Sequence, residues 1–498
     1  MLDRRSFLRR GALAAAALAS LPERILAAPY DPLAVVRRSG RPIRIRGAVR
    51  SGGRGLGRVA VSDGLSIVDT EPDGSFELMS SDDRDFVRLT IPSGHHIPRN
   101  PSGTARFYEL IATGSDEMAV TFDLTPLDHP DEDHTLLLLG DIQTEDATEM
   151  GWFHEQAVPD LAATRRSLGD THAFAIADGD IMYDNLALYP EYERGVSRIG
   201  LPFFQVVGNH DLDMRSGTDL GSTETFSRHF GPRYYSFDRG LVHYVVLDNV
   251  FWHGSGYLGY LDDDTLTWLA ADLRRIERGA PVVVATHIPA LGSDYRRRGL
   301  SSPDPGVATM NRETLYRLLE PFDAHILTGH THELEHVFEG GAHEHVVGAV
   351  CGAWWSGPIC WDGTPGGYCV YEAVGEDIRW RYKSTGFPDD HQMRLYPAGS
   401  DPTAPNEIVA NVWDWDPEWT VRWYAGSDPR GIMARRPGLD PLSVELHTGD
   451  ALPPRRTWVD PRVTSHMFYA PVEPGTGSIR VEATDRFGRV YTEAMDIG

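Results

Sequence analysis

The sequence predicts an α/β layered core set between two β-rich domains. Three observations carry this prediction. From residue 135 to about 330, continuous apolar runs alternate with helix-like stretches, as expected of strands covered on both faces. On either side the runs alternate apolar with polar residues and are separated by Gly, Pro and Asp clusters, the pattern of sandwiches. Finally, 498 residues at roughly 150 per domain give about three domains.

The chain opens on an address. Arg4-Arg5 precedes Ser6-Phe7-Leu8, an apolar run covers 12–21, and Ala27-Ala28 follows. Residues 1–28 therefore read as a twin-arginine secretory signal, and a periplasmic or extracellular location is expected. The run is half of the roughly 20 residues that span a bilayer, so no stable membrane anchor is expected.

Residues 42–125 read as a small β domain. The runs 43–49, 57–61 and 75–78 alternate, Asp63-Gly64 and Asp73-Gly74 mark turns, and 86–91 and 118–124 supply further strands. Two prolines and four acidic residues make 126–134 a linker. The core is drawn at 133–347, with strands at 135–139, 173–177, 203–207, 242–247, 282–285 and 325–327, and helices at 157–167, 266–277 and 312–320. Residues 348–498 form the C-terminal β-rich domain, with strands expected at 368–374, 378–382, 407–413, 420–424, 478–483 and 488–493.

Composition narrows the function. With 72 acidic and 47 basic residues the net charge is −25, which opposes phosphate backbones and anionic membranes, so no nucleic-acid binding is expected. A small phosphorylated substrate held by metal ions is compatible with it. Three cysteines, Cys351, Cys360 and Cys369, cannot staple a chain this long; buried small hydrophobes are their default reading.

The chemistry sits where apolar runs end. Leu139 leads into Gly140-Asp141-Ile142-Gln143, Ala177 into Asp178-Gly179-Asp180, and Val207 into Gly208-Asn209-His210-Asp211. Ala285 leads into Thr286-His287, and Leu327 into Thr328-Gly329-His330-Thr331-His332. In an open α/β sheet, ligands bind beyond the carboxyl ends of the strands, so parallel strands would bring the five motifs together. The glycines before Asp141, Asp180, Asn209 and His330 are expected to let the backbone turn sharply there. Asp141, Gln143, Asp180, Asn209, His287, His330 and His332 form an oxygen and nitrogen donor set suited to Mn, Fe or Zn. Seven donors exceed one four-coordinate ion and match two divalent ions sharing a carboxylate.

These motifs resemble those of the calcineurin-like metallophosphoesterase superfamily, which run D-x-H, G-D, G-N-H-D/E, H and G-H-x-H in this order. Phe230-Gly231-Pro232-Arg233-Tyr234-Tyr235-Ser236-Phe237, Val246-Leu247-Asp248-Asn249, Gly352-Ala353-Trp354-Trp355 and Asp362-Gly363-Thr364-Pro365-Gly366-Gly367-Tyr368 resemble the exported three-domain bacterial members. The resemblance implies a four-layer α/β/β/α core, a transthyretin-like N-terminal sandwich and a dedicated C-terminal domain. It implies one metal on Asp141, Gln143, Asp180 and His332, and a second on Asp180, Asn209, His287 and His330. It implies that His210, oriented by Asp211, donates a proton to the leaving oxygen or steadies the transition state, with a bridging hydroxide attacking phosphorus in line. Gln143 stands where many relatives have His, which leaves the metal's identity open.

Each motif alone has a plainer reading as a turn or cap; their ordered conjunction is what points to a site. His325, His336, His343 and His345 are read as structural, solvated or satisfied in the core. Tyr183, Asp184 and Asn185, just past Asp180, are candidate substrate contacts, as is a wall of Trp354 and Trp355. The expectation is an exported, dinuclear-metal hydrolase of small phosphate mono- or diesters. A degenerate ligand- or glycan-binding relative and an extracellular phosphoprotein phosphatase are the alternatives.

Overall fold

The structure is a computed structural model that describes residues 40–112, 114–450 and 452–497. The secretory signal expected at 1–28 lies outside the described residues. No helix among the described residues is long and apolar enough to cross a membrane.

Two sheets stacked face to face form the centre. The first runs in the order Phe203–Val206, His172–Asp178, Asp133–Leu139, Gly367–Val374, Asp377–Ser384, its first three strands parallel. The second runs Tyr235–Arg239, Val242–Val246, Pro281–Ala285, Asp323–Thr328, Ala342–Val346, Glu335–Glu339, parallel through its four central strands. Period-2 geometry divides each run between two faces. Leu136, Leu138, Phe174 and Ile176 pack inward with Phe237, Tyr244 and Val246 of the other sheet. Leu137, Leu139, Ala175 and Ala177 face the helical residues Phe153, Leu161 and Tyr192. Val245, Val282 and Val284 do the same for Trp268, Leu269 and Leu315. The result is the four-layer α/β/β/α order.

Two β-rich regions flank it. Pro42–Ser51 pairs with Ser75–Ser81 and Glu117–Leu124, opposite a sheet of Ile67–Asp69, Ala60–Ser62, Phe86–Leu89 and Tyr108–Leu110. At the other end Glu407–Val412 pairs with Met467–Pro471 and Thr420–Ala425 with Ser478–Thr484, around a core that includes Val412, Val421, Phe468 and Val481.

The C-terminal region reaches into the core: Gly367–Val374 pairs antiparallel with Asp133–Leu139 and carries Asp377–Ser384 as the edge strand. The hairpin pairs the free side of Asp133–Leu139, a strand apolar on both faces that an open sheet edge would leave exposed.

Candidate metal centre

All five motifs leave the carboxyl ends of parallel strands at one rim spanning both sheets. Asp141, Gln143, Asp180, Asn209, His287 and His332 are each at most 2 % exposed, and His330 is half-buried. The backbone is strained there. Ten non-glycine residues among those described have positive φ, and eight of them, Asp141, Gln143, Asp180, Asp184, His330, His332, Trp354 and Trp355, belong to this rim. Such conformations cost on the order of 1 kcal/mol or more each, and concentrate where surrounding structure holds them for function.

The glycines act differently from the expectation. Of the four preceding the ligand positions only Gly179 has positive φ; the left-handed turn is made by the ligand residues themselves. The glycines instead permit close approach. A Cβ on Gly208 would lie 1.9 Å from the Asp180 backbone nitrogen, and one on Gly179 would lie 2.3 Å from His287 Nδ1.

Three imidazoles are anchored alike. His287 Nδ1 meets the Asp178 carbonyl at 2.8 Å, His332 Nδ1 the Gly352 carbonyl at 2.6 Å, and His330 Nε2 the Gly306 carbonyl at 2.9 Å. Donating to a carbonyl fixes the tautomer, so the other nitrogen of each ring presents a lone pair. His287 Nε2 then faces Asn209 Oδ1 at 3.2 Å and Asp180 Oδ1 at 3.3 Å. His332 Nε2 faces Asp141 Oδ1 at 3.4 Å. Ligand atoms of Asp180, His287 and His330 lie within 4.8 Å of one another.

Lone pairs opposed to carboxylates repel unless positive charge lies between them. Asp141 Oδ1, His332 Nε2 and His330 Nδ1 are buried with no hydrogen-bond partner among the described residues, a costly arrangement unless each has a cation to bind. Burial opposes charge on His287, yet Asp180 and Asp141 outweigh it and raise its pKa to about 10, so the site favours positive charge at Nε2, a proton that a divalent ion would displace. Burial likewise opposes the Asp180 carboxylate, yet His287 and His210 keep it below the usual carboxylate range. The donor set thus fits divalent cations, with the carbonyl-anchored imidazoles expected of metal ligands. Gln143 reaches Asp180 Oδ2 through Nε2 at 2.8 Å; rotating the amide exchanges its donor and acceptor atoms.

His210 stands beside this set. Its backbone N–H donates to Asp180 Oδ1 at 2.8 Å and its Nδ1 pairs with Asp184 Oδ1 at 2.6 Å. Tyr183 stacks on the ring at 4.3 Å between centroids. Burial opposes charge on His210, but Asp180 and Asp184 raise its pKa above the ordinary histidine value. Asp211 was expected to orient His210 and does not. Its carboxylate, fully buried, accepts from the N–H groups of Gly208, Ile181 and Met182 and from the Tyr189 hydroxyl. It clamps two ligand loops together.

Three family models match in sequence order: the N-terminal region of calcineurin-like phosphoesterase over residues 43–127, the calcineurin-like phosphoesterase domain over 134–334, and the C-terminal region over 344–491. The chain belongs to the calcineurin-like phosphoesterase family. Among solved structures it is similar to a dimetal phosphatase from Danio rerio, at 14% identity over 50% of this chain and 96% of that one, TM-score 0.34. It is also similar to a purple acid phosphatase from yellow lupin seeds, at 13% over 69% and 67%, TM-score 0.36. A 5'-nucleotidase from Candida albicans matches at 14% over 50% and 51%, TM-score 0.30. No curated protein matches significantly.

In this phosphoesterase a cleft of about 240 Å³ opens over Gln143, Asp180, Asn209, His210 and His330. Tyr257, Tyr295 and Arg298 line one part of it, and Trp354, Trp361 and Arg462 another. Of the five expected substrate contacts, Tyr183, Asp184, Asn185, Trp354 and Trp355, only Trp354 lines this cleft. Trp354 is 8 % exposed and stacks on His332 at 3.9 Å, so its main contact is with a ligand ring. Trp355 donates to the Ile142 carbonyl at 3.0 Å and steadies the Asp141 loop. Tyr183 lies between His210 and Arg456, whose guanidinium is 4.7 Å from the ring centre. Asn185 ties its loop to the Glu145 carbonyl at 2.9 Å. Sequence reasoning missed Arg462, which stacks 4.0 Å over Trp361 and comes from far along the chain. It also missed Asp178, fully buried beneath the ligands, with both carboxylate oxygens lacking a partner among the described residues. Burial, reinforced by Asp141, pushes the Asp178 carboxyl well above its usual range.

His325, His336, His343 and His345 form a separate group. Strand register puts His325 opposite His343 and His336 opposite His345. His325 Nδ1 pairs with His345 Nε2 at 3.0 Å, His336 Nδ1 with His343 Nε2 at 3.1 Å, and His336 Nε2 with Asp414 Oδ1 at 3.1 Å. Nitrogens of His325, His343 and His345 come within 4.8 Å, and His343 and His345 each spend Nε2 on a neighbouring histidine, His336 and His325 respectively. All three cysteines are buried and free, and Cys351 Sγ lies 3.9 Å from Gln143 Oε1.

Proposed function

We propose that this chain is an exported phosphoesterase that hydrolyses small phosphate mono- or diesters with two divalent ions, Mn, Fe or Zn, at the rim described above. Metal-dependent phosphoester hydrolysis is the general chemistry of its family. The observation that carries the finer reading is the set of inward-facing lone pairs on His287, His330 and His332, each fixed by a backbone carbonyl and opposed to Asp180, Asp141 or Asn209. Asp141, Gln143, Asp180 and His332 would hold one ion, and Asp180, Asn209, His287 and His330 the other. Bound there, such a pair supplies Lewis acidity for the phosphoryl oxygens and lowers the pKa of water to near neutrality.

The chain's own residues do the rest. His210, whose protonated form Asp180 and Asp184 favour, stands at the cleft to give its proton to the departing ester oxygen. Asp211 holds the 181–182 and 208 backbone in register so that Asp180 and Asn209 stay adjacent. Arg298 and Arg462 on the cleft wall offset the acidic surface locally. The enclosed volume favours a small ester over a phosphoprotein. Every ligand position retains a competent donor, which favours an enzyme over a binding relative.

Chelated protein, reloaded separately with Mn, Zn or Fe, is assayed on bis-p-nitrophenyl phosphate and p-nitrophenyl phosphate alongside elemental analysis. About two ions per chain with turnover of at least one ester is expected. No turnover with any metal despite full loading would end the hydrolase reading.

A further inference from the structure

A second cavity, of about 300 Å³, lies away from the metal rim. His172, Ala173 and Phe174, at the start of the His172–Asp178 strand, line it. The metal rim begins at the other end of that strand, about 20 Å away at roughly 3.3 Å per residue. The cavity is also lined by the 95–99 segment of the N-terminal region and by Gly200, Leu201 and Pro202.

Its charge runs against that of the molecule. The chain carries a net −25, yet the lining holds three guanidiniums, Arg99, Arg165 and Arg239, against one carboxylate, Asp170. Among the described residues neither Arg99 nor Arg165 has a carboxylate in ion-pair range, and Arg165 donates only to the Gly169 carbonyl. Arg239 is 3 % exposed. Its Nη1 is used by the His95 carbonyl and Asp131 Oδ2, while its Nη2 is buried with no acceptor among the described residues. A buried guanidinium N–H without an acceptor is costly, and a planar guanidinium fork suits the paired oxygens of a phosphate or carboxylate. The remaining wall is apolar, with Ile97, Leu127, Phe174 and Leu201.

We propose that this cavity is a second, non-catalytic anion site, taking a small organic oxyanion whose charged head meets Arg99, Arg165 and Arg239 and whose body rests on the apolar wall. It stands apart from the catalytic reading and does not depend on it.

Equilibrium dialysis with inorganic phosphate and with phenylphosphonate, on metal-loaded and on chelated protein, tests this. Chelation removes oxyanion binding at the metal rim, so wild-type chelated protein should still bind one phenylphosphonate per chain, and bind it more tightly than phosphate. Arg99→Gln/Arg165→Gln should weaken that binding at least tenfold, while leaving the thermal melt and phosphoesterase turnover unchanged. Arg99 is exposed and Arg165 half-buried, and Arg239 is left in place because its removal would break its buried ion pair with Asp131. The proposal is overturned if chelated wild type binds neither anion, or if the double variant binds as wild type does.

Discussion

His210 and Asp184 are joined Nδ1 to Oδ1 at 2.6 Å, while Asp211, adjacent to His210 in the chain, bonds only to other groups. The two carboxylates therefore have separable roles. His210→Ala should leave about two metals bound and lower turnover by roughly 10²–10⁴-fold, the usual span for a general acid, most for esters with poor leaving groups. Asp184→Asn should give a smaller loss with the same leaving-group trend. Elemental analysis beside rates for a leaving-group series checks both. Loss of a metal in His210→Ala would refute the role assigned to His210.

Asp211→Ala should act on stability. It strands three backbone N–H groups and the Tyr189 hydroxyl in a fully buried place. At about 1–3 kcal/mol for a buried group left unpaired, a destabilisation of at least about 3 kcal/mol is expected in denaturant unfolding. An unchanged midpoint would mean that Asp211 is not the clamp described above.

These two residues mark how far the sequence was legible. The ligand set could be read because each donor follows a strand apolar on both faces, and parallel strands share one carboxyl end. The orienter of His210 could not be read from adjacency, because the short helical turn Asn209–Asp211 points consecutive side chains in different directions and brings Asp184 from another loop. The Gly367–Ser384 hairpin was hidden for a related reason. Its alternation suits any half-buried sheet, and only the unpaired side of Asp133–Leu139 decides which one. Arg462 entered the cleft from a loop more than a hundred residues past the last ligand, and nothing local in the sequence marks such a contact.

Metal removal should be felt as lost stability. Without cations, Asp141 Oδ1, His330 Nδ1 and His332 Nε2 have no hydrogen-bond partner among the described residues, so chelation should lower Tm and restoring about two equivalents should recover it. Asp180→Asn should disturb both ions, since Asp180 contacts Gln143, His210 and His287; Asp141→Asn should reduce occupancy to about one. Equal metal content in both variants would contradict the shared-carboxylate arrangement.

Gly208→Ala tests the close approach. The new Cβ would meet the Asp180 nitrogen at 1.9 Å and Oδ1 at 2.3 Å; the first is backbone and the second belongs to a buried carboxylate held by the His210 N–H. The loops must part, so metal content and turnover should collapse together. Gly151→Ala, where a Cβ meets nothing within 4 Å, should be silent.

His243 should give the fold a pH dependence unconnected with the metals. Its ring lies 2.7 Å from Asp238 Oδ1 and 3.0 Å from Asp272 Oδ2. Burial opposes its charge, but Asp272 and Asp238 outweigh that and raise it to about 10, against about 6.5 in an unfolded chain. A group whose pKa is raised by folding contributes fully below its unfolded value, and the contribution is lost as pH rises through the folded one. The ion pairs thus stabilise most at pH 6 and progressively less toward pH 10. Thermal melts of wild type and His243→Asn should differ most at pH 6, with wild type higher, and the gap should narrow steadily toward pH 10. A gap of constant size across that range would mean that His243 is neutral in the folded protein.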